Sequence, residues 1–280
     1  MESLSPDEVL RAVRDALAED IGTGDVTTLA TVPQDQNASA LMVAREPLVL
    51  AGIDFATTTF HELSIEVAIV LYKKDGDKVS RGEPLLKVSG PARAILTAER
   101  VALNFVQRLS GVATLTRQFV DAVRGTRAKI LDTRKTTPGW RRFEKYAVKC
   151  GGGENHRVGL FDMVLIKDNH LAAVGGNIGA AVQAARKKSP SLKVEVEADT
   201  LEQAAKAAEA GADIVLLDNM IPDQLRSAVK LIGGRCKTEA SGGVTLASVH
   251  QIAETGVDYI SVGALTHSAP AVDIGLDFRQ

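Results

Sequence analysis

After Gly125 the chain settles into an alternation of short strand-like runs and helical stretches, and nothing else in the sequence constrains the fold as strongly. The runs are residues 129–132, 163–167, 194–197, 214–217, 237–240 and 259–262, and Ala-rich helices are expected between the later ones, over 178–188 and 201–210. When a helix follows each strand, the next strand begins at the same end of the sheet, so the strands run parallel. About six such strands favour an incomplete parallel α/β barrel over a doubly wound sheet. No GxGxxG turn follows a first strand, so a dinucleotide-binding fold has little support.

The first third of the chain reads differently. Ser5-Pro6-Asp7-Glu8 is a helix start, with Ser5 as cap, Pro6 in the first turn and Glu8 closing a capping box. Val9, Leu10, Val13, Ala16 and Leu17 form its apolar face, and the helix is expected to end before the turn formers of 20–25. From about Ser39 to Ile95 the pattern is β-rich, with runs at 40–44, 48–51 and 65–72. Turns at 74–79 and 81–86 resemble those of lipoyl and biotinyl domains, which makes a carrier or binding module the rival from another class. The hairpin-tip stretch Ser89-Gly90-Pro91-Ala92-Arg93-Ala94 holds no lysine to modify, which argues against that rival. Thr97 is expected to cap a second helix with the face Val101, Ala102, Phe105, Val106 and Leu109, and Ser110-Gly111 marks a bend or break in it. Two domains are therefore expected: an α+β sandwich over 1–112, against which the tail 268–280 packs, and an α/β barrel over 113–267.

A parallel barrel builds its site at the C-terminal ends of its strands. Those ends read Thr133-Arg134-Lys135, Lys167-Asp168-Asn169, Glu197, Asp218-Asn219, Ser241-Gly242-Gly243 and Gly263-Ala264, with Asn155-His156-Arg157 in the loop between the first two. Arginine presents a planar fork to carboxylate or phosphate oxygens and lysine a point charge, so the basic ends predict a pocket for a substrate with several negative charges. The formal net charge of −2 makes this a local site and argues against a nucleic-acid binder. Glu197 and Asp218, on neighbouring strand ends, are candidate Mg²⁺ carboxylates, acting partly through water. Glu195 is taken to alternate with Glu197 and so to point to the opposite side of the strand, a weaker candidate. Glycines after the last two strands suit a phosphate held by backbone N–H groups. No Ser-His-Asp or nucleophilic Cys arrangement is present, and Cys150 and Cys236 read as free thiols of a cytoplasmic protein. No signal peptide and no membrane-spanning run are evident.

Taken together, Asp132 through Gly139, Lys145-Tyr146-Ala147-Val148, Gly151-Gly152-Gly153 through Arg157, Ile166 through His170, Leu217-Asp218-Asn219 and Ser241-Gly242-Gly243 resemble the quinolinate phosphoribosyltransferases. Gly22 through Thr27 and Gly256 through His267 match as well, so the resemblance covers essentially the whole chain. Trp140 stands where the family pattern suggests Leu, and Ala198-Asp199 replaces an Asn-containing turn. The resemblance implies transfer of phosphoribosyl from 5-phosphoribosyl 1-pyrophosphate to quinolinate with decarboxylation, dependent on Mg²⁺. It implies that Thr133, Arg134, His156, Arg157 and Lys167 bind quinolinate, with Arg100 contributed by the partner subunit of a homodimer or hexamer. It implies that Lys135, Asn169, Ser241, Gly242, Gly243, Gly263 and Ala264 bind the ribosyl pyrophosphate, and that Lys135, Lys167, Glu197 and Asp218 form the catalytic set. A related barrel enzyme acting on nicotinate, or the molybdenum-transport-associated homologue, is the alternative; a nicotinate site would need fewer cations.

Overall fold

The computed structural model describes residues 4–279. Met1–Ser3 and Gln280, included in the terminal segments discussed above, lie outside the described residues. The chain divides into two compact units. One comprises residues 1–117, 142–152 and 269–280, and the other residues 118–141 and 153–268.

The first unit begins with α1 (Pro6–Ile21), whose Ser5–Glu8 capping box forms as expected. The helix runs through Asp20 to Ile21 before Gly22 ends it, slightly beyond the anticipated stop. After α2 (Val26–Thr31) come β1 (Asn37–Ala44), β2 (Leu48–Val49), α3 (Ile53–Leu63), β3 (Ala68–Leu71), β4 (Lys78–Val79), β5 (Pro84–Pro91) and α4 (Ala92–Ala122). β1 pairs antiparallel with β5 and with the last strand, Ile274–Arg279, while β3 pairs antiparallel with the other side of β5. Met42, Leu50, Phe60, Leu85, Ile95 and Val106 fill the core of this unit.

Three expectations are revised in this unit. Residues 39–95 are not wholly β, because α3 interrupts them. Its start carries no local side-chain cap. The Asp75 carboxylate instead accepts the N–H groups of Gly52 at 2.8 Å and Ile53 at 3.0 Å, so the cap comes from a distant turn. Nor does Ser110-Gly111 break the second helix, since α4 is continuous over 31 residues. The Ser110 hydroxyl accepts the Ala51 N–H at 2.9 Å. A Cβ on Gly111 would lie 2.0 Å from the Pro270 carbonyl oxygen. This glycine permits close approach of another segment; it does not end a helix. The helix also starts at Ala92, before Thr97, whose hydroxyl donates to Asp25 at 2.9 Å.

The second unit carries β6 (Lys129–Leu131), β7 (Val164–Ile166), β8 (Val194–Ala198), β9 (Ile214–Asp218), β10 (Lys237–Ser241) and β11 (Tyr259–Ser261). Each lies within a residue or two of its anticipated span. All pairings are parallel, in the order β6-β11-β10-β9-β8-β7. Between these strands in sequence come α5 (Arg141–Cys150), α6 (Asp168–Ala173), α7 (Ile178–Lys188), α8 (Leu201–Glu209), α9 (Pro222–Ile232) and α10 (Val249–Ala253). β6 and β7 are not paired with each other; beyond β6 the chain at Glu154 takes up the pairing, its N–H donating to the Ile130 carbonyl at 2.8 Å. One cavity is lined from all six strands or the turns after them, so the sheet is curled and its C-terminal ends converge. Among the described residues no helix is long and apolar enough to cross a membrane.

Candidate active site

The cavity at the strand ends has a volume of about 620 Å³, within the usual range for small-molecule sites. Thr133, Arg134, Lys135, His156, Arg157 and Lys167 line it, with Glu197, Asp218, Ser241, Gly242, Gly243, Gly263 and Ala264. Two residues of the expected set do not. Asn169 is exposed in the first turn of α6, and Arg100 is exposed on α4 in the other unit.

Arg134 and Arg157 crowd one side. The Nε of Arg134 is buried without a hydrogen-bond partner. Arg157 gives one guanidinium N–H to the Met163 carbonyl at 3.3 Å. Burial, then repulsion from Arg134, draws the Arg157 pKa down, with Glu195 and Asp162 opposing. Two guanidiniums that repel one another across a cavity wall are an arrangement that an anion relieves. The loop carrying Arg134 is braced by Arg141, which the sequence reading overlooked. Its Nε donates to Thr136 Oγ1 at 3.0 Å and its guanidinium to the Val158 carbonyl at 3.0 Å, joining the two basic loops. Spacing offers no sign of this role, because both partners lie on irregular backbone.

The loop carrying His156 and Arg157 is anchored by Asp132, which is fully buried. Its carboxylate accepts Asn155 Nδ2 at 2.6 Å and the His156 N–H at 2.9 Å. His156 Nδ1 accepts the Arg157 N–H at 2.8 Å, and Nε2 lies 3.0 Å from Glu195. Both ring nitrogens are thus engaged within the protein, while His156 lines the cavity.

The expectation for Glu195 is corrected. Side chains two apart on a strand share a face, so Glu195 and Glu197 both point inward. Glu197 lines the cavity, and Glu195 is fully buried beneath it with Glu239 of β10, each against His156. Burial, then the charge of Glu195, pushes the Glu239 acid up to about 8, with His156 pulling the other way. Full ionisation of this buried pair is therefore disfavoured. Glu239 also reaches the cavity wall, and no motif in the sequence marks it.

Lys167 is ion-paired with Glu197, one strand away. Burial, then the Glu197 charge, raises the Asp218 acid, and Lys167 partly offsets this. Two oxygen donors with excess negative charge match what Mg²⁺ takes from a protein, so the residues present fit that ion. Beyond Asp218 the backbone at Ser241–Gly243 and Gly263 borders the cavity, and both Gly242 and Gly243 have positive φ. A Cβ on Gly263 would lie 3.0 Å from Lys135 Cδ, so the lysine stem passes directly over this turn.

A curled parallel sheet whose strand ends bring Arg134, Lys135 and Lys167, the carboxylates of Glu197 and Asp218, and two glycine turns to one cavity defines an α/β-barrel enzyme for anionic substrates. Comparison with known proteins narrows the class. The profile of the quinolinate phosphoribosyl transferase C-terminal domain matches residues 112–277, and that of the N-terminal domain matches residues 25–110. The chain belongs to the quinolinate phosphoribosyl transferase family. It is 49% identical to the nicotinate-nucleotide pyrophosphorylase [carboxylating] of Mycobacterium leprae over 271 residues, 95% of each chain. It is 47% identical to the probable enzyme of that name from Bacillus subtilis over 259 residues, 92% of this chain and 89% of the relative. The structure of the nicotinate-nucleotide pyrophosphorylase from Francisella tularensis superposes with a TM-score of 0.94 at 42% identity, covering 99% of this chain and 98% of that one.

Proposed function

We infer that this protein transfers the phosphoribosyl group of 5-phosphoribosyl 1-pyrophosphate to quinolinate, releasing pyrophosphate and CO₂ and leaving nicotinate mononucleotide. The observation that carries the reading is the pair of mutually repelling guanidiniums, Arg134 and Arg157, lining one cavity with Lys167. A pyridine dicarboxylate supplies the charge they lack, and a monocarboxylate supplies half of it.

In this reading Arg134, Arg157 and Lys167 hold the two carboxylates, with Thr133 and His156 completing the wall. Lys167 exchanges its Glu197 partner for substrate as it does so. Backbone N–H groups at Ser241–Gly243 and at Gly263–Ala264 hold the 5-phosphate, so that phosphate binding positions the ribose. Lys135, whose stem crosses Gly263, meets the pyrophosphate. Glu197 and Asp218 would hold Mg²⁺, in part through water. When bound, the ion would neutralise charge on the departing pyrophosphate. The ring nitrogen of quinolinate attacks the ribose carbon as pyrophosphate leaves. The positive charge then on that nitrogen stabilises the carbanion left beside it as CO₂ departs, and a proton from water takes the vacated position, so no protein base is required for decarboxylation.

We assign Arg100 to a neighbouring site, contributed by the partner subunit of a homodimer. It is exposed on α4 and absent from the cavity lining of its own chain, and the family resemblance supports this placement. Asn169, exposed on α6, would join the ribosyl pyrophosphate only after a movement of that turn. The test of the reading is the reaction itself. Quinolinate, 5-phosphoribosyl 1-pyrophosphate and Mg²⁺ should yield CO₂ and nicotinate mononucleotide in equal amounts, ceasing on chelation and resuming with added Mg²⁺. Nucleotide formation with the 2-carboxylate retained would overturn it.

A further inference from the structure

Asn219 is the only non-glycine residue with positive φ among those described, at +54°. It sits directly after β9 and lines the cavity between Asp218 and the Ser241–Gly243 turn. A non-glycine residue in the left-handed region is held there by its surroundings, and such positions concentrate at functional sites. Three contacts hold this one. Its N–H donates to the Ser241 carbonyl at 2.9 Å. Its side-chain Nδ2 donates to Asp218 Oδ2 at 2.6 Å. Its Oδ1 occupies the space over Gly242, where a Cβ would lie 2.1 Å from it.

The amide orientation follows from chemistry, since only the NH₂ end can face a carboxylate. The Oδ1 end therefore turns to Gly242, and no residue with a Cβ fits beneath it. One side chain bridges the carboxylate on β9 and the glycine turn after β10.

We propose that Asn219 is a positioning residue for the ribosyl pyrophosphate, fixing the Asp218 carboxylate relative to the Ser241–Gly243 turn so that both ends of that substrate meet one rigid edge. The inference rests on the function proposed above. It separates from a purely structural role, in which the left-handed backbone alone matters and glycine serves as well as asparagine.

The experiment compares wild type, Asn219→Gly and Asn219→Asp by calorimetric binding of 5-phosphoribosyl 1-pyrophosphate with Mg²⁺, binding of quinolinate, and thermal melting. Asn219→Gly keeps the backbone conformation and removes only the amide. It should melt close to wild type and bind quinolinate unchanged, yet bind the ribosyl pyrophosphate roughly tenfold more weakly, the scale of one lost hydrogen bond to a charged group. Asn219→Asp, isosteric but anionic beside Asp218, should weaken it further. Gly242→Ala should weaken the same ligand by displacing the amide, and by a smaller factor when Asn219 is already Gly. Wild-type affinity for the ribosyl pyrophosphate in Asn219→Gly overturns the inference, as does an equal loss for both ligands. A wild-type chain that binds neither ligand overturns the proposed function and takes this inference with it.

Discussion

At the residue scale, the buried acids under the cavity have the most measurable consequence. Glu239 is fully buried with its acid raised from 4.5 to about 8, so the folded state binds this proton more tightly than the unfolded chain does. The sign follows from linkage: the contribution to stability is complete below about pH 4.5 and is lost as pH rises through about 8. Glu239→Gln keeps a neutral side chain at every pH. Denaturant melts at pH 5.5 and 8.5 should show wild type losing more stability between the two than the variant. Parallel losses would place the proton elsewhere. The sequence pointed correctly to basic groups at the strand ends, because strand ends are where such a fold gathers chemistry. It did not point to Glu239 or Arg141. Glu239 sits mid-strand, short of the strand end where chemistry gathers, and Arg141 works by bonding irregular loops that have no period to read. Glu195 was legible and misassigned, because the period of two that puts it beside Glu197 was applied with the wrong parity.

At the element scale, the contrast between the two units has a physical cause. The second unit repeats one motif of strand then helix, and helices such as α8 and α7 carry their own caps, Thr200 and Asn177. Local pattern and tertiary structure agree there. In the first unit the signals are non-local: Asp75 caps α3 from a later turn, and Gly111 answers to Pro270. Helix α4 yields a prediction with an unusual sign. Gly→Ala inside a helix ordinarily stabilises by up to about 1 kcal/mol. Gly111→Ala should instead destabilise by about 2–4 kcal/mol, because the new methyl meets a backbone carbonyl that cannot turn aside. Thermal melts decide between them, and an unchanged or higher Tm would mean that the Pro270 segment gives way easily.

At the scale of the whole molecule, the proposed placement of Arg100 would make a complete site the product of two chains. Arg100→Ala and Lys167→Ala should each be nearly inactive alone. Mixed under conditions that exchange subunits, half the dimers become hybrids, and one pocket in each hybrid has both groups intact. About a quarter of all pockets should then recover in a two-fold dimer. No recovery, with exchange verified by mass, would return Arg100 to its own chain or to solvent. The central claim is narrower: the cavity is built for a dianion. Its most direct test is the ratio of kcat/KM for quinolinate and nicotinate, measured side by side with saturating 5-phosphoribosyl 1-pyrophosphate and Mg²⁺. A monocarboxylate leaves one cation of the Arg134, Arg157 and Lys167 group uncompensated, a cost on the order of 3 kcal/mol, so quinolinate should be preferred by roughly 10²-fold or more. Equal values for the two acids would contradict the account.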